Sequence, residues 1–247
     1  MLKYAILSAI CLSASLATAQ SLGGGLPIPP PGATVFNQIQ QMTGWQSCHD
    51  PGCAGGSGNG TYWMAQFQSN PSLSGSSTQV YNSGVWANAL WYKKMGAGYD
   101  SATNLLWDFW VQLDSHAAAA AQALEYDAFQ FVNGYNYMIG SQCNIAAGVW
   151  DLWDELNGHW IHTTIGCTGF PAGTWHHIQW YVQTNHNTHQ YTYVTLVVDG
   201  RSHPINRSYY AKNLGWNSNI GAQYQLDVNA SGQGYSEWFD LSKLTVW

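Results

Sequence analysis

The chain has 247 residues, a length that suits one large all-β domain. Charged residues make up 8% of it and the formal net charge is −6, which excludes phosphate-backbone binding through clustered Lys and Arg. The same balance argues against anionic membranes and strongly acidic polymers as partners.

In chain order, "MLKYAILSAICLSASLATAQ" reads as a secretory signal peptide over residues 1–19, with Ala17-Thr18-Ala19 as an A-x-A cleavage site before Gln20. The mature chain is therefore expected outside the cytoplasm, extracellular or periplasmic. No later stretch is long and apolar enough to span a bilayer, so membrane insertion is not expected. Residues 20–34, "QSLGGGLPIPPPGAT", read as a Gly/Pro-rich tether. Residues 35–60 read as a short helix or turn, where Val35, Phe36, Ile39 and Met42 recur at near-helical spacing, followed by the loop "CAGGSGNG".

Removing the signal peptide leaves Cys48, Cys53, Cys143 and Cys167, and four cysteines in an exported chain predict two disulfides with three connectivities. Cys48–Cys53 with Cys143–Cys167 is the most economical pairing. A metal site of His49 with the two nearby cysteines is the weaker reading, because oxidising compartments favour the disulfide.

Residues 61–247 read as short strands and turns, and so as a sandwich domain. "TYWMAQFQ", "GVWANALWYKK", "LLWDFWVQLD", "ALEYDAFQF", "YNYMIGSQC", "TWHHIQWYVQ", "YTYVTLVV", "AQYQLDV" and "WFDLSKLTVW" carry the aromatic and β-branched enrichment of strands. "SHAAAAAQ" has high helix propensity but is too short to stand alone, so a loop or one helical turn is expected there. Many antiparallel strands without helical repeats predict an all-β, two-sheet sandwich of jelly-roll type with a concave ligand-binding face.

Two hairpins can be read in detail. Asn133-Gly134 is a strong two-residue turn, and pairing outward from it sets Asp127 opposite Gly140 and Glu125 opposite Gln142. One face then shows Glu125, Asp127, Asn136, Gln142 and Asn144, while the other shows Leu124, Tyr126, Ala128, Tyr137 and Ile139. A second hairpin turning at Asn157-Gly158 groups Asp151, Trp153 and Glu155 with Trp160, His162 and Thr164. On "LLWDFWVQLD", Trp110 falls on the polar side with Asp108 and Gln112, where an exposed ring suits sugar stacking. His177 falls on the polar side of its strand and His176 on the apolar side.

Glu125 and Asp127 stand out chemically. Two carboxylates two residues apart on one strand face lie roughly 6.5–7 Å apart at Cα, and their repulsion raises one pKa, a useful property in an acid. The chain also has 14 Trp and 15 Tyr; most are expected in the core, but exposed rings stack on sugar faces while uncharged Asn and Gln bond hydroxyls.

"GTWHHIQWYVQ…YTYVTLVVDGRSHPI" and the closing "EWFDLSKLTVW" resemble the concanavalin A-like lectin/glucanase superfamily. "GWQSC", "ANALWYK", "ALEYD", "GSQCN" and "WDLWD" together resemble small secreted proteins of acidobacterial type. The superfamily resemblance implies a jelly roll holding an extended glycan. Its retaining glucanases carry E-x-D-x-x-E on one strand, with a bulge turning all three acids into the cleft. The resemblance casts Glu125 as nucleophile and Asp127 as its tuner, and it puts Gln130 where the family has its acid/base. Gln130 cannot exchange a proton as a carboxyl does, so the family's two-step mechanism lacks that group here.

The expected function is binding of an extended neutral polysaccharide or oligosaccharide, β-glucan-like, with cleavage by Glu125 and Asp127 left open. Expected binding residues are Gln130, Trp110, Gln142, Asn136, Asp151, Trp153, Glu155, His162 and His177; Asp151, Glu155 and His162 could supply the missing proton-transfer group. The alternative is a lectin-like or adhesion module without turnover. A polysaccharide lyase is disfavoured by the shortage of Arg and Lys, and a glutamic peptidase by the absence of that family's surrounding motifs. No cofactor is expected. A structural calcium is left open, as lectin-like sandwiches often hold one, although no dense Asp/Asn loop dictates it. A monomer is expected.

Overall fold

A computed structural model describes residues 21–22 and 25–247; the expected signal peptide lies outside the described residues. The first half of the chain forms β1 (Ser21–Leu22), β2 (Leu26–Pro27), β3 (Thr34–Phe36), β4 (Gln46–Cys48), β5 (Thr61–Gln68), β6 (Ser77–Ser83), β7 (Asn88–Lys94), β8 (Asn104–Leu113) and β9 (Ala121–Val132). The second half forms β10 (Gly134–Ile139), β11 (Ser141–Asn144), β12 (Val149–Asp154), β13 (His159–Gly166), β14 (Trp175–Asn185), β15 (Gln190–Val198), β16 (Arg201–Tyr210), β17 (Lys212–Trp216), β18 (Asn219–Val228) and β19 (Tyr235–Val246). The alanine run gives one helical turn, α1 (Ala117–Ala120), and then becomes β9 at once.

Two antiparallel sheets make a jelly-roll sandwich. The larger runs β13-β12-β11-β9-β18-β7-β4, with β10 beside β9 and β17 outside β10. The smaller runs β16-β15-β14-β8-β19-β6-β5, with β3 on the far end of β19. Their facing sides form one core, in which Leu124, Tyr126, Ala128 and Leu152 of the larger sheet meet Trp107, Phe109, Ile178 and Trp180 of the smaller. Alternation with period two buries one side of each strand and leaves the other free for chemistry.

Both disulfides form in the economical pairing, Cys48–Cys53 and Cys143–Cys167. The expected tether is partly docked. β1 and β2 make a two-stranded ribbon, and Leu26 is buried against Leu106, Tyr181 and Val197 on the outer side of the smaller sheet. Strands were missed where apolar alternation is weak, as in β6 ("STQVYNS") and in β16, an edge strand that tolerates Pro204.

The first hairpin has the expected register. Asn133 and Gly134 both take positive φ, Tyr135 pairs with Val132, and Gln142 pairs with Glu125. The second differs. Asp154 pairs with His159 across a turn over residues 155–158, so Trp153 faces Trp160 and Asp151 faces His162. The turn is longer by two residues than the one expected because Asp154 closes it, accepting from the Asn157 backbone N–H and side-chain amide and, at its carbonyl, from Gly158 N–H. An even slip moves the register but keeps every side chain on its face.

Candidate functional site

The outward side of the larger sheet forms the floor of a cleft. Pairing aligns His162 of β13, Asp151 of β12, Gln142 of β11, Glu125 of β9 and Gln225 of β18 in one transverse row. A second row holds Trp160, Trp153, Asp127 and Gln223, with Gly140 opposite Asp127 between β10 and β11. A Cβ at Gly140 would sit 2.7 Å from that of Trp153 and 3.3 Å from Asp127 Oδ1, so glycine here lets the indole and the carboxyl approach each other. The rows line a cavity of about 680 Å³, bordered by residues 52–55 of the Cys48–Cys53 loop and by Lys212, Leu214 and Trp216.

Each carboxyl in the cleft is held by amides or backbone. Asp127 accepts from Ser141 N–H (2.9 Å) and from the Gln223 amide. Glu125 accepts from Gln225 Nε2 (2.7 Å), and the same nitrogen donates to Asp227 (3.0 Å). Two acceptors on one nitrogen at these distances place their oxygens under ~6 Å apart. Asp151, fully buried, accepts from Gln142 (2.9 Å) and Asn144 (2.7 Å) and pairs with His162 Nδ1 (2.5 Å), whose ring is otherwise mostly exposed. Glu155 accepts from Asn136 (2.8 Å) and from Trp153 Nε1 (2.6 Å), which fixes the indole as a wall.

Burial without countercharge sets the electrostatics. It pushes the Glu125 carboxyl well above the usual range, and the neighbouring Asp127 and Asp227 carboxyls push it further. Burial raises Asp127 to about 6 against the hydrogen bonds it accepts, and raises Asp227 to about 7. Glu155 is raised by burial too, with the Lys212 charge opposing. All three carboxyls of the central trio therefore keep their protons to higher pH than ordinary carboxyls do.

The cleft unites most of the expected residues: Glu125, Asp127, Asn136, Gln142, Asp151, Trp153, Glu155 and His162. Three do not join it. Gln130 lies on the core side, because β9 pairs with β18 without a bulge from Ala123 to Phe131 and parity turns position 130 inward. There its amide donates to the Tyr99 and Ala102 carbonyls and its oxygen accepts from Thr184, a structural role. Trp110 and His177 lie on the outer side of the smaller sheet, across the sandwich. Their rings stack on each other at 4.4 Å and 4°, and His177 Nε2 bonds Asp108 at 2.7 Å. The stack covers one face of the Trp110 ring, and its place on the smaller sheet keeps it out of the acid-lined cleft. His176 bonds Asp199 (2.7 Å) on the core side of the same strand.

Asp227, Gln223 and Gln225 were missed as site residues. "AQYQLDV" alternates Gln223, Gln225 and Asp227 against Ala222, Tyr224 and Leu226, so the polar face was visible; its pairing with β9, about a hundred residues earlier, was not. Among the described residues no group of three or more His, Cys, Asp and Glu is arranged to hold a metal ion.

No protein-family model and no curated protein matches the chain. Among solved structures it is similar to a cellulose induced protein, Cip1 (12% identity, TM-score 0.49, covering 83% of this chain and 91% of that one). It is similar to arcelin-5, a lectin-like defense protein from Phaseolus vulgaris (10% identity, TM-score 0.48, 87% and 98%). An endo-beta-1,4-glucuronan lyase from the fungus Trichoderma reesei is also similar (11% identity, TM-score 0.46, 85% and 94%). At these levels the fold assignment stands on the strand pairing itself, and the function on the cleft.

Proposed function

We propose that the cleft binds an extended neutral glycan of β-glucan type and that its acid trio hydrolyses it. The observation that carries the reading is the transverse row Asp151–Gln142–Glu125–Gln225, where carboxyl acceptors alternate with amides beside the Trp153 wall. Sugar hydroxyls both donate and accept, and such a row answers both. Five carboxyls, Glu125, Asp127, Asp151, Glu155 and Asp227, against one lysine in the lining leave a polyuronate short of countercharge, which disfavours a lyase.

Geometry supports the following division of catalytic roles. Glu125 and Asp127 share a proton, so they are too close to straddle a glycosidic bond; Asp127 holds and tunes Glu125. Glu125 and Asp227, both bound to Gln225 Nε2, have oxygens under ~6 Å apart, a bound that admits the separation of about 5–5.5 Å that retaining glycosidases use. Protonated Glu125 would donate to the leaving oxygen as ionised Asp227 attacks the anomeric carbon, and a water deprotonated by Glu125 would then displace Asp227, releasing the sugar and restoring both carboxyls. Asp151 is two strands from Glu125, roughly 10 Å at the backbone, and His162 is three away, roughly 14 Å. They fit a neighbouring subsite rather than the reacting bond.

Reducing-end release from a panel of neutral β-glucans tests hydrolysis, and retention on immobilised β-glucan tests binding. Product formation lost in Glu125→Gln and Asp227→Asn, with retention kept, is the expected result. Retention without product would leave the lectin-like alternative. Absence of both would end the saccharide reading.

A further inference from the structure

The cleft has a second, chemically different half. Beside the acid-lined part lies a cavity of about 810 Å³, lined by Leu90, Tyr92, Phe129, Phe131, Met138 and Trp216, with Lys94, Asn217, Asn219 and Gln223 as its main polar members. The two halves are continuous, because Leu90, Met138, Trp216 and Gln223 border both. The apolar floor is built in. Gly221 of β18 lets the Phe129 ring lie across it: a Cβ there would fall 2.2 Å from Phe129 Cζ. Phe131 stacks beside Phe129 at 4.8 Å and 18°, and Trp216, about half exposed, meets Phe131 edge-on at 4.9 Å.

A sugar ring needs hydroxyl partners on most of its rim, and this half offers few. We propose that it is a subsite for an aromatic aglycone, so that the preferred ligand is an aryl glycoside with its saccharide on the acidic half. The saccharide part rests on the function proposed above; the aromatic subsite does not. Continuity of the cavities argues for one ligand spanning both. The rings of Phe131, Tyr92 and Trp216 in the lining argue for an aromatic group over a plain alkyl chain, since ring edges and faces complement one another. The volume exceeds by several times the ~150 Å³ that holds one benzene, which leaves room for a substituted ring.

Calorimetry on the full mature chain tests this with methyl, hexyl and phenyl β-cellobiosides and with phenol alone. Phenyl cellobioside should bind about tenfold or more tighter than the methyl glycoside, the gain expected from burying one ring. Trp216→Ala, at an exposed position, should remove that gain, so that phenyl and methyl cellobioside bind with the same affinity. Equal affinity of the phenyl and methyl glycosides would overturn the inference while keeping the saccharide reading. Saturable phenol binding that Trp216→Ala abolishes, without binding of any glycoside, would support the aromatic subsite and sink the saccharide half. Hexyl binding as tight as phenyl, a phenyl gain that survives Trp216→Ala, or no binding of any probe would overturn the assignment.

Discussion

The outer sides of the two sheets both carry acids among aromatic rings, and they treat them in opposite ways. On the smaller sheet, burial pushes the Asp108 carboxyl up, but the hydrogen bond from His177 and the Lys243 charge at 3.2 Å outweigh it and hold the pKa below its usual value. Asp240, on β19 of that sheet, accepts from Gln40, from Ser72 and Ser74 hydroxyls and from the Leu73 and Ser74 backbone N–H groups; these also outweigh burial and hold it down. On the larger sheet, Glu125, Asp127 and Asp227 receive amides and one backbone N–H, but no cation bonds them, and all three are raised. An acid matched to a countercharge or saturated with donors is structural. An acid cluster left to share protons stores chemistry, at a cost in stability.

The sharpest break in this contrast would come from Glu125→Gln. Hydrolysis of neutral β-glucan should fall by about a hundredfold or more, the worth of a general acid, with no loss of thermal stability. Activity that survives would remove Glu125 from the mechanism. Asp240→Ala should do the reverse, costing about 1–3 kcal/mol in denaturant unfolding because the buried Gln40 amide and the part-buried Ser72, Leu73 and Ser74 donors lose their acceptor, while glycan retention at 25 °C stays intact. A neutral effect would mean that those donors find water.

The pH dependence of stability follows from the same division. Raised carboxyls bind protons more tightly folded than unfolded, so what they contribute is full below their unfolded pKa and is lost as pH climbs through the folded value. Asp127 at about 6, Asp227 at about 7 and the core residue Glu237 at about 8, raised by burial against the Tyr126 hydrogen bond, put that loss between roughly pH 4 and 8. Asp108 and Asp240 are lowered, so their contribution disappears only as pH drops below about 4. The thermal midpoint should peak near pH 4–5 and decline toward pH 8, and Glu237→Gln should flatten the upper part of the decline. A midpoint that rises from pH 5 to 8 would contradict the assignment. The smallest effect expected is a titration shift: in Asp227→Asn, removing one negative neighbour should lower the pH at which the Glu125 carboxyl titrates, read by carbon NMR.

Much of this was legible in the residues, and what escaped has one cause. Period-two alternation gave the faces of β9, β11, β12 and β13, and the even slip at the second hairpin left those faces intact. Alternation also placed Trp110 and His177 on polar faces correctly, but local pattern does not say which sheet a strand joins, and theirs is the wrong one for the cleft. Gln130 was placed by a bulge that the resemblance implies and the regular β9–β18 ladder lacks. Asp227 reaches Glu125 by pairing across about a hundred residues, which no local rule predicts.

A crystal soaked with neutral oligosaccharides tests the central claim most directly. Sugar density lying across Gln142, Glu125 and Gln225 with its ring against Trp153 is the predicted result. Density on the Trp110–His177 side of the smaller sheet, with the acid cleft empty, would contradict it.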